Sequence, residues 1–451
     1  MERNHALKRL GLFEARAPRY TSYPPANHFS EQVDAGTTED WLRSVQPGSQ
    51  VSLYLHIPYC RRLCWFCACR TQGTATNRPL VPYLKRLKRE IAMVSALLPE
   101  DVTIGRVHLG GGTPTILPPD MLEDLVGALK QMRPWSDLAE FSVEIDPTEI
   151  DAARVDALAR LGMTRASIGV QDFDPVVQGA IGRLQGFDIT QQVVTMLREA
   201  GVESLNLDVL YGLPHQTLAR MTDSIQHVLA LDPDRVAFYG YAHVPWMARR
   251  QAMIPTAALP GPEERYELFM SARSILTWDS YREIGIDHFA RESDSLATAD
   301  RLGRLRRNFQ GYTDDQSKVL IGLGASAISR YPQGFAQNHS TSSKYADAID
   351  HGGLGTVRGH RFSNDDLVRS AMIEAIMCNF AIDLQALAAE TGAPVAALRK
   401  IADPLLQQFP DHVVSRGDRI EIARDGFLIA RLVAQHIDAY SLPEGRHSQA
   451  L

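Results

Sequence analysis

Residues 51–69 read VSLYLHIPYCRRLCWFCAC, and this stretch sets the reading of the whole chain. Its first half is an apolar, strand-like run. Its second half holds Cys60, Cys64, Cys67 and Cys69, four of the chain's five cysteines, within ten residues. So local a cluster is no disulfide framework for 451 residues and points to a bound metal centre. The first three, spaced C-x3-C-x2-C, offer three thiolates from one loop, whereas a cubane iron–sulfur cluster normally takes four Cys ligands. Three would leave one iron open to an outside ligand, which makes the centre a site for chemistry. A structural zinc site is the alternative, but zinc knuckles come as separated pairs and no second knuckle follows. Cys378, alone in SAMIEAIMCNF, reads as a buried structural thiol.

Outward from this loop, strand-like and helix-like patterns alternate from about residue 50 to 245. VSLYLHI, VHLGG, EFSVEI, RASIGVQ, SLNLDVLYG and RVAFYGYA read as short, largely apolar strands. Amphipathic stretches such as VPYLKRLKREIAMV, DMLEDLVGALKQM and DITQQVVTMLREAG lie between them. Six repeats predict a parallel sheet with right-handed crossovers, either barrel-like or doubly wound. Polar residues and glycines recur at the C-terminal end of each strand. In order these are His56 with the cysteine loop, Gly110 to Pro114, Glu144 and Asp146, Gln171 and Asp172, Asp208 and Tyr211, and Tyr241 to His243. Six such ends in register argue for one shared cavity.

Each feature also has a plainer use. The run GGGTPT lacks the Lys and spacing of a phosphate loop; it suits close backbone approach to a polar ligand, or else a tight turn. Glu144 could cap the following helix, DPTEIDAARVDAL, though Asp146 beside Pro147 is better placed for that. Asp208 lies in an apolar strand and needs a partner or a ligand.

After residue 260 the alternation stops. PEERYELFMSARSILTW reads as a helix, followed by YREIGIDHFA, an irregular polar segment and the apolar loop VLIGLGASAIS. Beyond about 361 the pattern is helical, with a strand pair in HVVSRGDRIEI turning at Arg416, Gly417 and Asp418. The expected division is an arm at 1–35, a catalytic domain at 36–330 and a mostly helical domain at 331–451, whose tail PEGRHSQAL reads as frayed. An apolar content of 45% supports a sizeable core. A balance of 47 basic and 53 acidic residues, net −6, argues against nucleic-acid binding. RLGRLRRNF, with Arg301, Arg304, Arg306 and Arg307, reads first as a solvated helix face. With no signal-like segment and no 18-residue apolar stretch, the expectation is a cytoplasmic protein kept in a reducing compartment.

The cysteine loop after the first strand, with GGGTP closing the second, resembles the radical S-adenosylmethionine superfamily. Further strings are similar to the oxygen-independent coproporphyrinogen III oxidase family: RYTSYPPA, YLHIPYCRRLCWFCAC, HLGGGTPT, EIDP, GVQDF, DVLYGLP, YAHVP, DHFA, NFQGYT and GASAIS, in that order over residues 19 to about 330, with MCNF beyond. The resemblance implies an α/β fold, a partial (β/α)6 barrel with an N-terminal arm and a small, mostly α-helical C-terminal domain. It implies a 4Fe-4S cluster on Cys60, Cys64 and Cys67, and two molecules of S-adenosylmethionine. Tyr54, Gly111, Glu144 and Ile328 would line the cluster-bound one; Phe66, Gly112, Thr113, Gln171, Arg183, Asp208 and Ala242 match contacts of the second. Tyr54, Glu144 and Cys69, the family's extra non-ligating cysteine, are the candidate catalytic residues.

By the same resemblance, reductive cleavage of the cofactor would give methionine and a 5′-deoxyadenosyl radical. Two propionates of coproporphyrinogen III would become vinyls, giving protoporphyrinogen IX. The implied partners are that substrate, an electron donor such as flavodoxin or ferredoxin, and a separate electron acceptor, with no nucleic acid, no membrane and a monomeric chain. A tetracarboxylate substrate wants cations, which turns the arginine run into a candidate contact. Ala68, where the family often has Gly, and Trp65, in place of a smaller ring, depart from the pattern without removing a functional group. A haem chaperone and a haem-related radical methyltransferase are the rival readings. The chaperone typically lacks RYTSYP and the loop's fourth cysteine, and this chain has both.

Overall fold

Six strands in the predicted positions form the parallel heart of a twelve-stranded sheet. They are β1 (Gln50–Ile57), β2 (Thr103–Gly111), β3 (Trp135–Ile145), β4 (Arg165–Gln171), β5 (Ser204–Tyr211) and β6 (Arg235–Gly240). The main sheet continues with β7 (Arg282–Ile284), β8 (His288–Ala290), β9 (Leu320–Leu323), β10 (Ile328–Tyr331), β11 (Gly334–Asn338) and β12 (Thr356–Arg361). The computed structural model describes residues 7, 8, 10–423 and 426–440, so the tail PEGRHSQAL lies outside the described residues. The spatial order is β12-β11-β10-β9-β1-β2-β3-β4-β5-β6-β8-β7, an open sheet and hence a partial barrel.

Three elements differ from the sequence reading. VLIGLGASAIS is no loop: it supplies β9, which pairs with β1 in parallel, and β10, antiparallel to β9. YREIGIDHFA folds into β7 and β8, an antiparallel edge against β6. β11 and β12 carry the sheet on to Arg361, so a division at residue 330 falls inside it. Both misreadings of strands have one cause: runs of three to five residues are too short for a period to register. The helical C-terminal part begins with Asn364–Asn379, and its strand pair Val413–Arg416 and Arg419–Ile422 gains a third member, Ala381–Asp383.

Side chains alternate across each barrel strand, and the alternation separates two chemistries. Val51, Leu53, Leu55 and Ile57 of β1 are buried in the core. The other face turns Ser52, Tyr54 and His56 toward the polar faces of neighbouring strands, through registers such as Tyr54 opposite His108 and Gly322. Ion pairs lie at the N-terminal end of this face. Arg106 bridges Glu140 at 3.3 Å and Asp314 at 2.6 Å, Arg165 meets Glu140 at 3.3 Å, and Arg235 meets Asp294 at 2.6 Å. These buried charges are compensated in place, as burial requires. The strands read as largely apolar because the apolar face is continuous; the polar face appears only at every second residue.

The arm crosses the C-terminal ends of the strands. Arg19 donates to the Gly240 carbonyl at the end of β6, and Ser30 bridges Gly359 of β12. Helix Ala430–Ile437 and the residues after it tie the arm down: Arg431 donates to the carbonyls of Ala17 and Pro18, Tyr20 Oη to Asp438, and the Ala439 amide to Tyr23 Oη. Among the described residues no helix is long and apolar enough to cross a membrane.

Candidate functional site

The first corner of the site is the turn from β1 into the cysteine loop. Cys60 and Cys64 are buried, Cys67 half-buried and Cys69 exposed, all as free cysteines. Burial pushes the Cys60 thiol up to about 11. Contacts from Cys69 lead the opposite pull on Cys67, which the Arg250 and Arg183 charges assist. Arg183 Nη1 stands 3.4 Å from Cys64 Sγ and 3.1 Å from Asp146 Oδ2, and its Nη2 donates to the Gly169 carbonyl at 2.8 Å. A guanidinium buried against a thiol complements the anionic thiolate that an iron ligand must be. Among the described residues no three His, Cys, Asp or Glu side chains converge as for a single ion.

The glycine run closes against this loop. Gly112 N–H donates to the Ile57 carbonyl and Thr113 N–H to that of Tyr59, both at 2.9 Å. A Cβ on Gly112 would lie 2.6 Å from the Tyr59 carbonyl oxygen, so glycine is required by the close approach of two backbones. Gly111 has φ +111°, and its amide donates to Glu144 Oε2 at 2.9 Å. His108 reaches Glu144 Oε1 at 3.3 Å and Ser142 Oγ at 2.6 Å, with its ring stacked on Tyr54 at 5.8 Å. Burial would raise the Glu144 carboxyl, but the His108 contact and the Gly111 amide outweigh it and hold the group ionised. Tyr54 Oη bonds His56 Nδ1 at 3.0 Å, and His56 Nε2 pairs with the Arg70 carbonyl. Glu144 thus keeps its charge and remains 37% exposed, a carboxylate available to a cationic group.

The remaining candidates ring the same strand ends. Asp208 accepts from Asn206 at 2.8 Å and Ser167 at 3.3 Å; burial, then the neighbouring Glu144 charge, push it up to about 6. Gln171 has φ +72° and lies beside Arg183 at Gly169. The Phe66 and Ala242 carbonyls are joined by Gln251 Nε2, at 2.7 and 3.1 Å. Ile328 opens β10 against Gly322, the register partner of Tyr54.

Other polar strand ends turn away. Asp172 is fully buried among Gln216, Ser224 and the Asp174 amide, and it serves packing. Asp146 caps only the short turn Pro147–Glu149; Asp151 caps helix Ala152–Leu161, so neither Glu144 nor Asp146 has that task. His108 and Gln251 went unnoticed in the sequence. The signal for His108 was its place two residues before Gly110, on the same strand face; Gln251 gave none.

The arginine run divides. It is no helix face: helix Ser295–Arg301 ends inside it and strand Arg306–Asn308 follows. Arg301 pairs with Glu292, Arg304 is exposed and Arg306 pairs with Glu374 at 3.1 Å. Arg307 alone turns inward, its side chain 3% exposed.

Comparison with known proteins agrees with this arrangement. Residues 54–228 match the Radical SAM superfamily, which contains the whole cysteine and glycine corner. The chain is 51% identical over 451 residues to the oxygen-independent coproporphyrinogen III oxidase of Paracoccus denitrificans, covering 100% of both. It is 52% identical to that of Cereibacter sphaeroides, with 96% of each covered. The solved coproporphyrinogen III oxidase HemN of Escherichia coli, a radical SAM enzyme, superposes with TM-score 0.90 at 34% identity, over 94% of this chain and 98% of that one. The chain is therefore a radical SAM protein by fold and loop. Within that superfamily it belongs to the oxygen-independent coproporphyrinogen III oxidases.

Proposed function

We propose that this chain is the enzyme that converts coproporphyrinogen III to protoporphyrinogen IX without oxygen, in haem biosynthesis. The observation that carries the reading is the joining of the three-cysteine loop to Tyr54, Gly111 and an ionised Glu144 through backbone and side-chain hydrogen bonds. Cys60, Cys64 and Cys67 would hold a 4Fe-4S cluster. When bound, the cluster and S-adenosylmethionine supply a 5′-deoxyadenosyl radical, the hydrogen-abstracting species. Each reacting propionate gives one hydrogen atom to that radical, then loses carbon dioxide and one electron, and a vinyl group remains.

The side chains have separable parts in this. Glu144, fixed by Gly111 and His108, suits the cofactor's ammonium group, with Tyr54 and Ile328 as walls. Phe66, Gly112, Thr113, Gln171, Arg183, Asp208 and Ala242 would surround a second S-adenosylmethionine. Arg183 also lends its charge to Cys64, and Cys69 lies exposed on the rim of the loop. That outer rim, with exposed Arg70 and half-exposed Arg61 and Arg62, suits an acidic one-electron donor such as flavodoxin or ferredoxin. A separate acceptor takes the substrate's electron. We read the protein as a cytoplasmic monomer, with the catalytic and helical parts dividing after Arg361 and the arm of residues 1–35 serving the catalytic part.

Anaerobic incubation of reconstituted enzyme with reductant, S-adenosylmethionine and coproporphyrinogen III tests the reading. Protoporphyrinogen IX with about two 5′-deoxyadenosines per molecule, one for each vinyl, is expected. Methylated product with S-adenosylhomocysteine would contradict it in favour of a methyltransferase.

A further inference from the structure

Between the arm, β6 and the C-terminal helix lies a cluster of guanidiniums that none of the foregoing roles uses. Arg19 reaches the Gly240 carbonyl, and its own carbonyl accepts from Arg307 Nε at 3.3 Å. Arg307 lies over the Tyr312 ring at 4.4 Å, meets Asp287 at 3.4 Å and has an Nη1 with no hydrogen-bond partner. Arg431 packs under the arm, and the Arg19 and Arg307 charges add to burial in pushing its guanidinium below the ordinary range. Arg265 lies over Tyr211 at 5.5 Å, within the field of Arg19. Asp287 pairs with Arg307 at 3.4 Å and also accepts from His288. Among the described residues the Arg19 side chain has one hydrogen bond, to a neutral carbonyl, and no carboxylate within ion-pair distance.

Like charges are costly to gather in a partly buried place, and the half-buried Arg19 side chain meets them with only a neutral carbonyl as its partner among the described residues. Gly240 and Tyr239 are half-buried at this spot; burial raises the Tyr239 hydroxyl, as do the Asp208 and Asp287 charges, while Arg307 and Arg19 pull it down. The β5–β6 register, with Leu210 opposite Tyr239, puts Tyr239 on the strand face that carries Asp208, and Arg19 meets the end of the same strand at Gly240.

We propose that Arg19, backed by the buried charge of Arg307, is a carboxylate-binding site for a propionate of the substrate. This rests on the coproporphyrinogen reading given above. Arg19 offers a planar fork to a carboxylate, and its hydrogen bond to Gly240 is the contact the propionate displaces.

The test uses the full-length, cluster-reconstituted enzyme and the fluorescent probe coproporphyrin III, beside its tetramethyl ester. Wild type, Arg19→Gln and Arg19→Lys are titrated with both, and turnover of coproporphyrinogen III is measured alongside. Arg19→Gln is expected to bind the tetracarboxylate roughly 10- to 100-fold more weakly, the loss typical of a charged hydrogen bond. Its affinity for the ester should stay unchanged, and Arg19→Lys should recover part of the loss. The site is overturned if Arg19→Gln binds the tetracarboxylate like wild type, or loses acid and ester equally, as a mere anchor of the arm would. Wild type that forms no vinyl product overturns the functional reading and the site with it; wild type that forms it while Arg19→Gln keeps its affinity removes the site alone.

Discussion

The two charged sides of the cavity are built in opposite ways. On the cofactor side, Glu144, Asp208 and their partners His108, Ser142, Ser167 and Asn206 stand at alternate positions of four adjacent strands, β2 to β5. Each is placed by a strand register, and each carboxylate has its hydrogen bonds within two strands. On the cationic side, Arg19, Arg307 and Arg431 come from the arm, a short hairpin and the C-terminal helix; Arg307 touches the arm across 288 positions of sequence and Arg431 across 413 and 414. The first is a property of the sheet; the second exists only once the chain ends have docked. A sheet-built charge is placed by register, while a charge on the arm is placed by the docking of the chain ends.

Perturbing the sheet side should have the larger consequences. Replacing Cys64 by Ser removes a thiolate ligand from the loop, so the iron absorbance after reconstitution and all 5′-deoxyadenosine formation should be lost. Retention of both would remove Cys64 from the ligand set. Next, Glu144→Gln keeps the shape but discards the charge, and affinity for S-adenosylmethionine should fall roughly 100-fold by equilibrium binding, with the cluster spectrum intact.

His108→Phe should preserve the ring stacked on Tyr54 while taking a hydrogen bond from Glu144. A loss of about 3- to 10-fold in the same binding measurement is expected for one neutral contact. An unchanged affinity would show that Gly111 alone suffices to fix the carboxylate.

The smallest effect concerns Asp208 and is read as stability in the ligand-free protein. Its carboxyl is raised from 3.8 to about 6, so between these values the folded state binds the extra proton. Stability from this group is therefore highest below about pH 4 and falls as pH rises through 6. Asp208→Asn should flatten that slope in melting temperature between about pH 4 and 6, the interval between the two values. A slope equal to wild type would assign the pH dependence to other groups.

The asymmetry between the two sides also explains what the sequence disclosed. The cysteine loop, GGGTP and the polar strand ends are local strings, and the strands that carry them are long enough to show a period. β1 to β6 were therefore legible, with candidate residues at the ends of all six. β7 to β10 were missed because three- or four-residue strands owe their existence to pairing partners. Asp172 misled, because a polar residue at a strand end looks the same whether it faces the cavity or, as here, Ser224 and Gln216. Arg306 and Arg307 were indistinguishable in the run RLGRLRRNF; one strand position turns the first outward to Glu374 and the second inward. Arg19 opens the string RYTSYPPA, yet the string does not tell what its side chain meets, since its surroundings come from residues more than two hundred positions away.

Binding of each reactant to each variant tests the two-sided cavity most directly. S-adenosylmethionine and coproporphyrin III would be titrated separately into reconstituted wild type, Glu144→Gln and Arg19→Gln at one ionic strength. A cavity with a sheet-built cofactor side and a separate cationic side predicts that Glu144→Gln weakens only S-adenosylmethionine and Arg19→Gln weakens only the tetracarboxylate. If either variant weakened both ligands to the same degree, the two sides would be one coupled site and the division drawn here would be wrong.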